Sequence, residues 1–511
     1  MAAAFNFPGV YVEEIAHGLR PIEGAPTAIT AFVGRALRGP EGQAVDIFSF
    51  ADYERQFGGL WLDSAMSYAV RDFFANGGGH AVIVRLFHAD AAGSPPRILE
   101  SGTLRFRAAS RGSWADQLEL SVSAGAAADA FNLTVTDRAP GGVMEMYENV
   151  SLKNGARRVD LMLKGVSALV QWAGANLDAD ATAPALPALP SLPAGGLTVP
   201  PVAGSASDGT PLTADDFLDP DCGLRALDQL YARNSLFNLL VIPPYNTAGN
   251  IDDTVTTAAI ACCELRRAML LLDAPAEWRD PVQAASQFPG RFHALSPNAA
   301  LYFPRVDMPN PLRGNRIESF AAAGVVAGAF ARNDAQRGVW KAPAGLEVVM
   351  AGVTAPSVPV TDGENGQLNA LGINCLRSFA GRGNVVWGAR TLRGGDDLGD
   401  PFKYVPVRRT ALFIEESLYR GLQWVAFEPN DESLWAQIRY NAGDFMNRLF
   451  TQGAFQGSAA RDAYLVRCDA ATTTPDDAVR GMVNLMVGFA PLRPADFVVL
   501  TLQLPVGAGL M

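Results

Sequence analysis

The feature that most narrows the fold is an alternation of short apolar runs with amphipathic stretches, present on both sides of a long segment that lacks it. TAITAFVGRA (27–36) predicts a buried strand, SAMSYAVRDFFANGGG (64–79) a helix closed by glycines, and HAVIVRLF (80–87) a second strand, together a β-α-β unit. The rhythm returns with NLLVIPP (238–244), the helical IDDTVTTAAIACCELRRA (251–268), MLLLDAP (269–275) and ALYFPRV (300–306). After it, IESFAAAGVVAGAFARNDAQRG predicts a small-residue helix able to approach a sheet closely. Strands alternating with helices call for a parallel sheet with helices on its faces.

The intervening segment reads differently. LRFRA, LELSVS, FNLTVTD and EMYENVSL, between about 95 and 175, alternate with period two and are separated by glycine and small polar residues, the pattern of an antiparallel sandwich. A Pro/Ala-rich linker, 181–214, leads out of it. In the last third, NVVWGARTL predicts a strand, while VRRTALFIEESLYRGLQ and NDESLWAQIRYNAGDFMNRLFTQG predict helices, the second capped by Asn430. Strands AYLVRC, MVNLMVGFAP and DFVVLTLQLPV close the chain.

The expected fold class is therefore an α/β core, a parallel helix-covered sheet, with an inserted antiparallel β-sandwich domain, an α+β C-terminal domain and extended N- and C-terminal strand arms. The expected boundaries are 1–26 for the N-terminal arm and its linker, 27–94 and 215–382 for the two parts of the core, and 95–180 for the insertion. The linker follows at 181–214, the C-terminal domain at 383–490 and the C-terminal arm at 491–511. At 511 residues the chain has room for roughly three domains, at about 150 residues each.

Both ends finish in strands that lack an obvious local partner. Gly9, Val10, Tyr11, Val12, Glu13, Glu14 and Ile15 alternate as an extended strand, yet AHGLRPIEGAPT after them supplies no second strand. At the other end Val498, Leu500, Leu502 and Leu504 face one way and Phe497, Val499, Thr501 and Gln503 the other. Unpaired backbone groups must be completed by distant chain or by another molecule. An apolar edge strand, otherwise an aggregation hazard, suits pairing between molecules.

A formal charge of −11 excludes a surface built to neutralise phosphates, so nucleic acid is not an expected partner. Lysine occurs only at positions 153, 164, 341 and 403, and the cations are mostly arginine, the residue enriched in protein interfaces. Five cysteines without C-x-x-C spacing make no disulfide framework and fit synthesis in a reducing cytoplasm. The start has no signal-peptide pattern, and the longest uncharged stretch is too rich in proline to span a bilayer; a soluble protein without direct membrane insertion is expected.

Catalytic chemistry finds little to stand on. The histidines are His17, His80, His88 and His293, of which His88 and His293 are the better general-base candidates, and no serine lies in a G-x-S-x-G elbow. NGGGH (76–80) lacks the ending of a phosphate loop, GRGNVVWG has its glycines in the wrong place for a dinucleotide site, and the adjacent Cys262 and Cys263 suggest buried thiols rather than a metal site. No cofactor or metal is expected. The rival to a structural role is an α/β hydrolase with an accessory β domain.

Several blocks resemble one family in order along the chain. PGVYVEE, NLLVIPP, ALYFPRV, GAFARNDAQRGVWKAPAG (328–345), LNALGINCLRSFAGRGNVVWGARTL (368–392), FIEESLYRGLQWVAFEPNDESLW (413–435) and APLRPADFVVLTLQL (490–504) are similar to blocks of the contractile tail sheath proteins of phages, R-type bacteriocins and related injection systems. The insertion also resembles the β-sandwich that many of them carry. The resemblance implies a non-enzymatic homo-oligomer, a helical stack of hexameric rings possibly shared with sheath paralogues, around an inner tube protein and joined to baseplate and terminal cap proteins. Such a protein is made in the bacterial cytoplasm and ends in a virion or a contractile injection particle. It implies that Gly9–Ile15 add to a sheet completed by Val483, Leu485 and Val487 and by Phe497, Val498, Val499, Leu500, Thr501 and Leu502 of neighbouring copies. Segments 17–27 and 491–495 would flex between them. The resemblance also implies a tube contact through a C-terminal helix; Arg439 and Arg448 are the candidate residues on it.

Overall fold

The computed structural model describes residues 20–127, 129–139, 141–175, 177, 196–245, 249–292, 295–492 and 498–505. The chain divides into two compact units, one of residues 26–412 and one of residues 1–25 with 413–511.

The larger unit is built on an eight-stranded sheet. Its strands are β1 (Thr30–Arg35), β2 (Ala44–Ile47), β3 (Ala81–Leu86), β4 (Leu239–Val241), β5 (Met269–Asp273), β6 (Ala299–Phe303), β7 (Ile373–Phe379) and β8 (Gly383–Val386), in the order β8-β7-β6-β5-β4-β1-β3-β2. From β7 to β3 every pairing is parallel, with Phe32 of β1 opposite both Val241 and Ile83. The two outermost strands are antiparallel. Every residue of β3, β4 and β6 is buried, which explains why these runs read as continuously apolar: helices cover both faces.

Two of those helices meet backbone to backbone. Helix α1 (Ala65–Ala75) starts at Ser64, whose hydroxyl accepts from the Ser67 amide. Helix α2 (Asp253–Leu265) lies elsewhere on the sheet, and α3 (Ala323–Arg337) packs on α1. A Cβ at Gly324 would sit 2.4 Å from the Ala69 carbonyl oxygen, and one at Gly328 would sit 2.4 Å from that of Phe73. The α3 N-terminus takes its cap from the sheet, since the Ala323 amide donates to the Asp273 carboxylate at 2.7 Å.

Helix α3 is shorter than the sequence pattern suggests. Arg316–Phe320 is a strand, antiparallel to Val306–Asn310, and only from Ala323 does the segment become helical. The turn between these strands is written in NPLRGN: Asn310 accepts from the Leu312 amide, and Gly314 and Asn315 take left-handed conformations.

The period-two segment forms two small sheets. Leu197–Val199, Leu118–Ala124, Ala130–Asp137 and Met144–Ser151 make one in that order; Ile98–Ser101, Leu104–Ala108 and Val170–Trp172 make the other. They share a core that includes Leu104, Phe106, Leu120, Leu133, Val150 and Val170. Two expected boundaries shift. Leu197–Val199, expected in the linker, pairs with Leu120–Val122. Gly383, expected to open the C-terminal domain, starts β8, which forms a tight hairpin with β7 and belongs to the large sheet; the unit break falls at 412/413, inside helix α4 (Val405–Gly421).

The small sheets are clamped to the large one by buried arginines. Arg38 and Asp137, each about 4% exposed in their side chains, pair at 2.5 Å. Arg85, 1% exposed, donates to the carbonyls of Ala36, Gly39 and Arg111 and to the Glu41 carboxylate. Buried charges are tolerated when an opposite charge and hydrogen bonds offset their loss of water.

The smaller unit holds helix α5 (Glu432–Thr451) and the sheet β9 (Tyr464–Arg467), β10 (Met482–Phe489) and β11 (Val498–Pro505), ordered β9-β10-β11. The α5 cap is Asp431, whose carboxylate accepts from the Leu434 amide at 2.8 Å. Asn430, expected there, instead donates to the Met482 carbonyl and accepts from the Trp435 indole.

Candidate assembly site

The chemistry to be located is that of unsatisfied strand edges, so the C-terminal sheet is the place to look. β10 and β11 pair antiparallel over eight residues, from Met482 opposite Pro505 to Phe489 opposite Val498. Val483, Leu485 and Val487 are fully buried and lie opposite Leu504, Leu502 and Leu500. β11 alternates as its sequence predicts: Val498, Leu500 and Leu504 are buried, while Val499, Thr501 and Gln503 are exposed. Val483–Val487 and Val498–Leu502, expected to complete a sheet for the strand Gly9–Ile15 of a neighbouring copy, thus pair with one another within one chain. β10 has both edges occupied; among the described residues β11 has a partner on one edge only. Phe497 and the strand Gly9–Ile15 lie outside the described residues.

Arg439 and Arg448 do not project freely from α5. Arg439 donates to the Cys468 carbonyl and pairs with Glu432 at 2.8 Å. Arg448 donates to the Ile22 carbonyl and pairs with Asp444 at 3.1 Å. Helical spacing placed both on the helix but could not show that each reaches back to its own chain.

That second contact exposes a feature the sequence reading missed. Residues 20–25, without regular secondary structure, lie against α4 and α5. Ile22 is fully buried, and a Cβ at Gly421 would lie 2.7 Å from its side chain, so Gly421 is the notch into which Ile22 fits. The Ala25 amide donates to the Ser417 hydroxyl at 2.9 Å. The Arg20 guanidinium lies over the Trp424 ring at 4.6 Å. The available signal was a lone isoleucine after proline in a connector without apolar periodicity. Segment 17–27, expected to flex, is therefore anchored from Arg20 onward.

A hydrolase built on such an α/β sheet would hold its substrate at the carboxyl ends of strands whose connections run to opposite sides. A crevice of about 510 Å³ lies there, lined by Arg35, Asp63, Ser64, Asp208, Pro243 and Tyr245 among others. Its serine is engaged: the Ser64 hydroxyl donates to the Arg35 carbonyl and accepts from the Ser67 amide. No described histidine lines it. His88 instead pairs with Asp216 at 2.9 Å, a carboxylate that also closes a capping box with Thr213, and His80 pairs with Asp46 at 2.8 Å. His17 and His293 lie outside the described residues.

Burial pushes the Cys262 thiol up to about 11 and those of Cys375 and Cys468 up to about 12, and Cys263 is raised well above its ordinary value. These thiols stay protonated and unreactive at neutral pH. Among the described residues no cluster of His, Cys, Asp and Glu could hold a metal ion, and no helix is long and apolar enough to cross a membrane.

Comparison with known proteins bears on the same regions. Residues 215–392 match the phage tail sheath protein central domain, and residues 397–504 match the phage tail sheath C-terminal domain. The tail sheath protein of Burkholderia phage BcepMu is 26% identical over 284 residues, 52% of this chain and 58% of that protein, so the match spans little more than half of the relative. Among solved structures, the sheath of the extracellular contractile injection system PVC in its contracted state superposes with a TM-score of 0.58 at 21% identity, covering 98% of both chains. The sheath tail protein Lin1278 of Listeria innocua gives 0.65 at 14% identity, covering 95% of this chain and 96% of that one. At such identities the structural likeness speaks for the fold. The hydrolase alternative finds no support in these relatives.

Proposed function

Because the chain belongs to the phage tail sheath protein family, we propose that it is the structural subunit of a contractile sheath. Copies stack as hexameric rings around an inner tube, joined to a baseplate at one end and a cap at the other. Contraction then drives the tube through a target envelope. The extended lattice is the higher-energy packing, held by a kinetic barrier, so no nucleotide is consumed. Assembly takes place in the bacterial cytoplasm, and the product is a virion or an injection particle. The period-two region is an insertion facing away from the tube, where added chain is best tolerated.

The observation that carries this reading is β11: an eight-residue, half-apolar strand that, among the described residues, is paired on one edge only, an aggregation hazard unless another copy covers it. Neighbouring copies add Gly9–Ile15 to this sheet and exchange the C-terminal strand. Electron microscopy with sedimentation tests the reading. Purified protein should form polymers of regular diameter, and deletion of residues 1–16 should leave circular dichroism unchanged while abolishing lengthwise growth. A persistent monomer in the wild type, or wild-type polymer length in the truncated chain, refutes it.

A further inference from the structure

The groove beside α4 and α5 fixes where the N-terminal connection between copies begins. Every second or third residue of the segment is held by a different kind of contact: the Arg20 guanidinium stacked on Trp424, the Ile22 side chain in the Gly421 notch, the Ile22 carbonyl on Arg448 and the Ala25 amide on Ser417. Gly24 adds a close approach, since a Cβ there would lie 3.1 Å from the Phe413 ring. An apolar plug and a cation on a carbonyl both act at Ile22 and a hydroxyl on an amide acts at Ala25, so the segment cannot peel away one contact at a time without exposing Ile22.

We propose that residues 20–25 are a permanent strap and that the tether to a second copy of this chain is only Ala16–Leu19. This rests on the proposed function above and adds a distance to it. Ile15 and Arg20 are five residues apart, so they are separated by at most about 18 Å. The sheet that accepts Gly9–Ile15 must therefore present its edge within that reach of Arg20, in the extended and in the contracted lattice alike. Were the strap free, six more residues would add about 20 Å and the constraint would vanish.

The test shortens the tether. Deletion of His17–Leu19 removes about 10 Å of reach. With the strap fixed, the shortened chain should stay folded yet fail to grow lengthwise. Releasing the strap in the same chain, by Ile22→Asp or independently by Gly421→Val, should restore growth by supplying slack. Hydrogen exchange on the unassembled full chain should show the Ala25 amide, bonded to the Ser417 hydroxyl, protected in the wild type and unprotected in either release variant. Normal growth of the shortened chain overturns the proposal. So does failure of both release variants to rescue it, or exchange of the wild-type Ala25 amide at the unprotected rate. Wild-type polymerisation, measured alongside, reports separately on the sheath reading.

Discussion

Replacing Gly328 by alanine tests how the larger unit is held together. The new methyl would lie 2.4 Å from the Phe73 carbonyl oxygen, on α1, and 2.6 Å from the Cβ of Asn76, which caps the C-terminus of that helix. Ordinary contacts begin near 3.5 Å, so α3 must retreat by about 1 Å, and neither obstacle is a side-chain end able to rotate aside. Overpacking of this kind costs about 1–3 kcal/mol, against about 1 kcal/mol regained from the better helix propensity of alanine. Two obstacles that cannot rotate aside place the cost in the upper half of that range, about 2–3 kcal/mol, so a net loss of about 1–2 kcal/mol is expected. Gly324 faces Ala69 in the same way one turn earlier, at 2.4 Å from its carbonyl oxygen. One retreat of α3 relieves both clashes, so the double variant should lose less than the sum of the two single losses. Urea midpoints of the two single variants and the double variant give the cycle. Gly366→Ala, in helix Asp362–Leu371 with no neighbour within 4 Å of the new methyl, serves as the control and should gain stability. Single variants as stable as the wild type, or strictly additive losses, would refute the backbone contact.

Asp72 and Asp273 are each pushed up to about 6 by burial. Their folded values exceed the unfolded 3.8, so the native state binds protons more tightly and stability should rise as pH falls from 7.5 to 5. The gain is about 1.4 kcal/mol per carboxylate, read as the urea midpoint; Asp72→Asn should remove its share of the slope, and an unchanged slope counts against the burial argument. Asp334 and Arg409, both 3% exposed in their side chains, form a two-pronged pair, and Arg409 also donates to the Thr27 carbonyl. Asp334→Ala strands that cation and should cost about 3–5 kcal/mol in thermal unfolding, whereas Asp334→Leu with Arg409→Met should recover much of the loss; equal stability of the two variants would contradict this.

What could be read from the sequence followed periodicity. The strands of the large sheet announce themselves because burial on both faces demands continuous apolar runs, and α5 does so through the stripe of Leu434, Ile438, Phe445 and Leu449. What escaped depends on partners far away in the chain. The stretch IESF looked helical because the alanines after it are, and only the NPLRG turn discloses the hairpin. Arg448 sat on a plausible outer face until its carbonyl partner, 426 residues away, became visible. Ile22 is a single apolar residue, and one residue has no period. For the terminal strands, alternation correctly assigned the two faces of β11, but it carries no information about whose chain supplies the neighbouring strand.

That last ambiguity has a mechanical consequence for the proposed sheath. β11 completes β10 within one chain, so handing it to a neighbour remakes the same eight-residue ladder and the same apolar contacts, with no new bond gained. The free energy of joining copies this way then comes from local concentration rather than from pairing strength, and it depends on how short and how firmly anchored the connections are. The larger unit, stiffened by the buried Arg38–Asp137 and Arg409–Asp334 pairs, is suited to move as one body. Rearrangement between extended and contracted packings is thereby directed into the short connections, so strand pairing can survive a transition in which the surfaces of the larger units slide past one another.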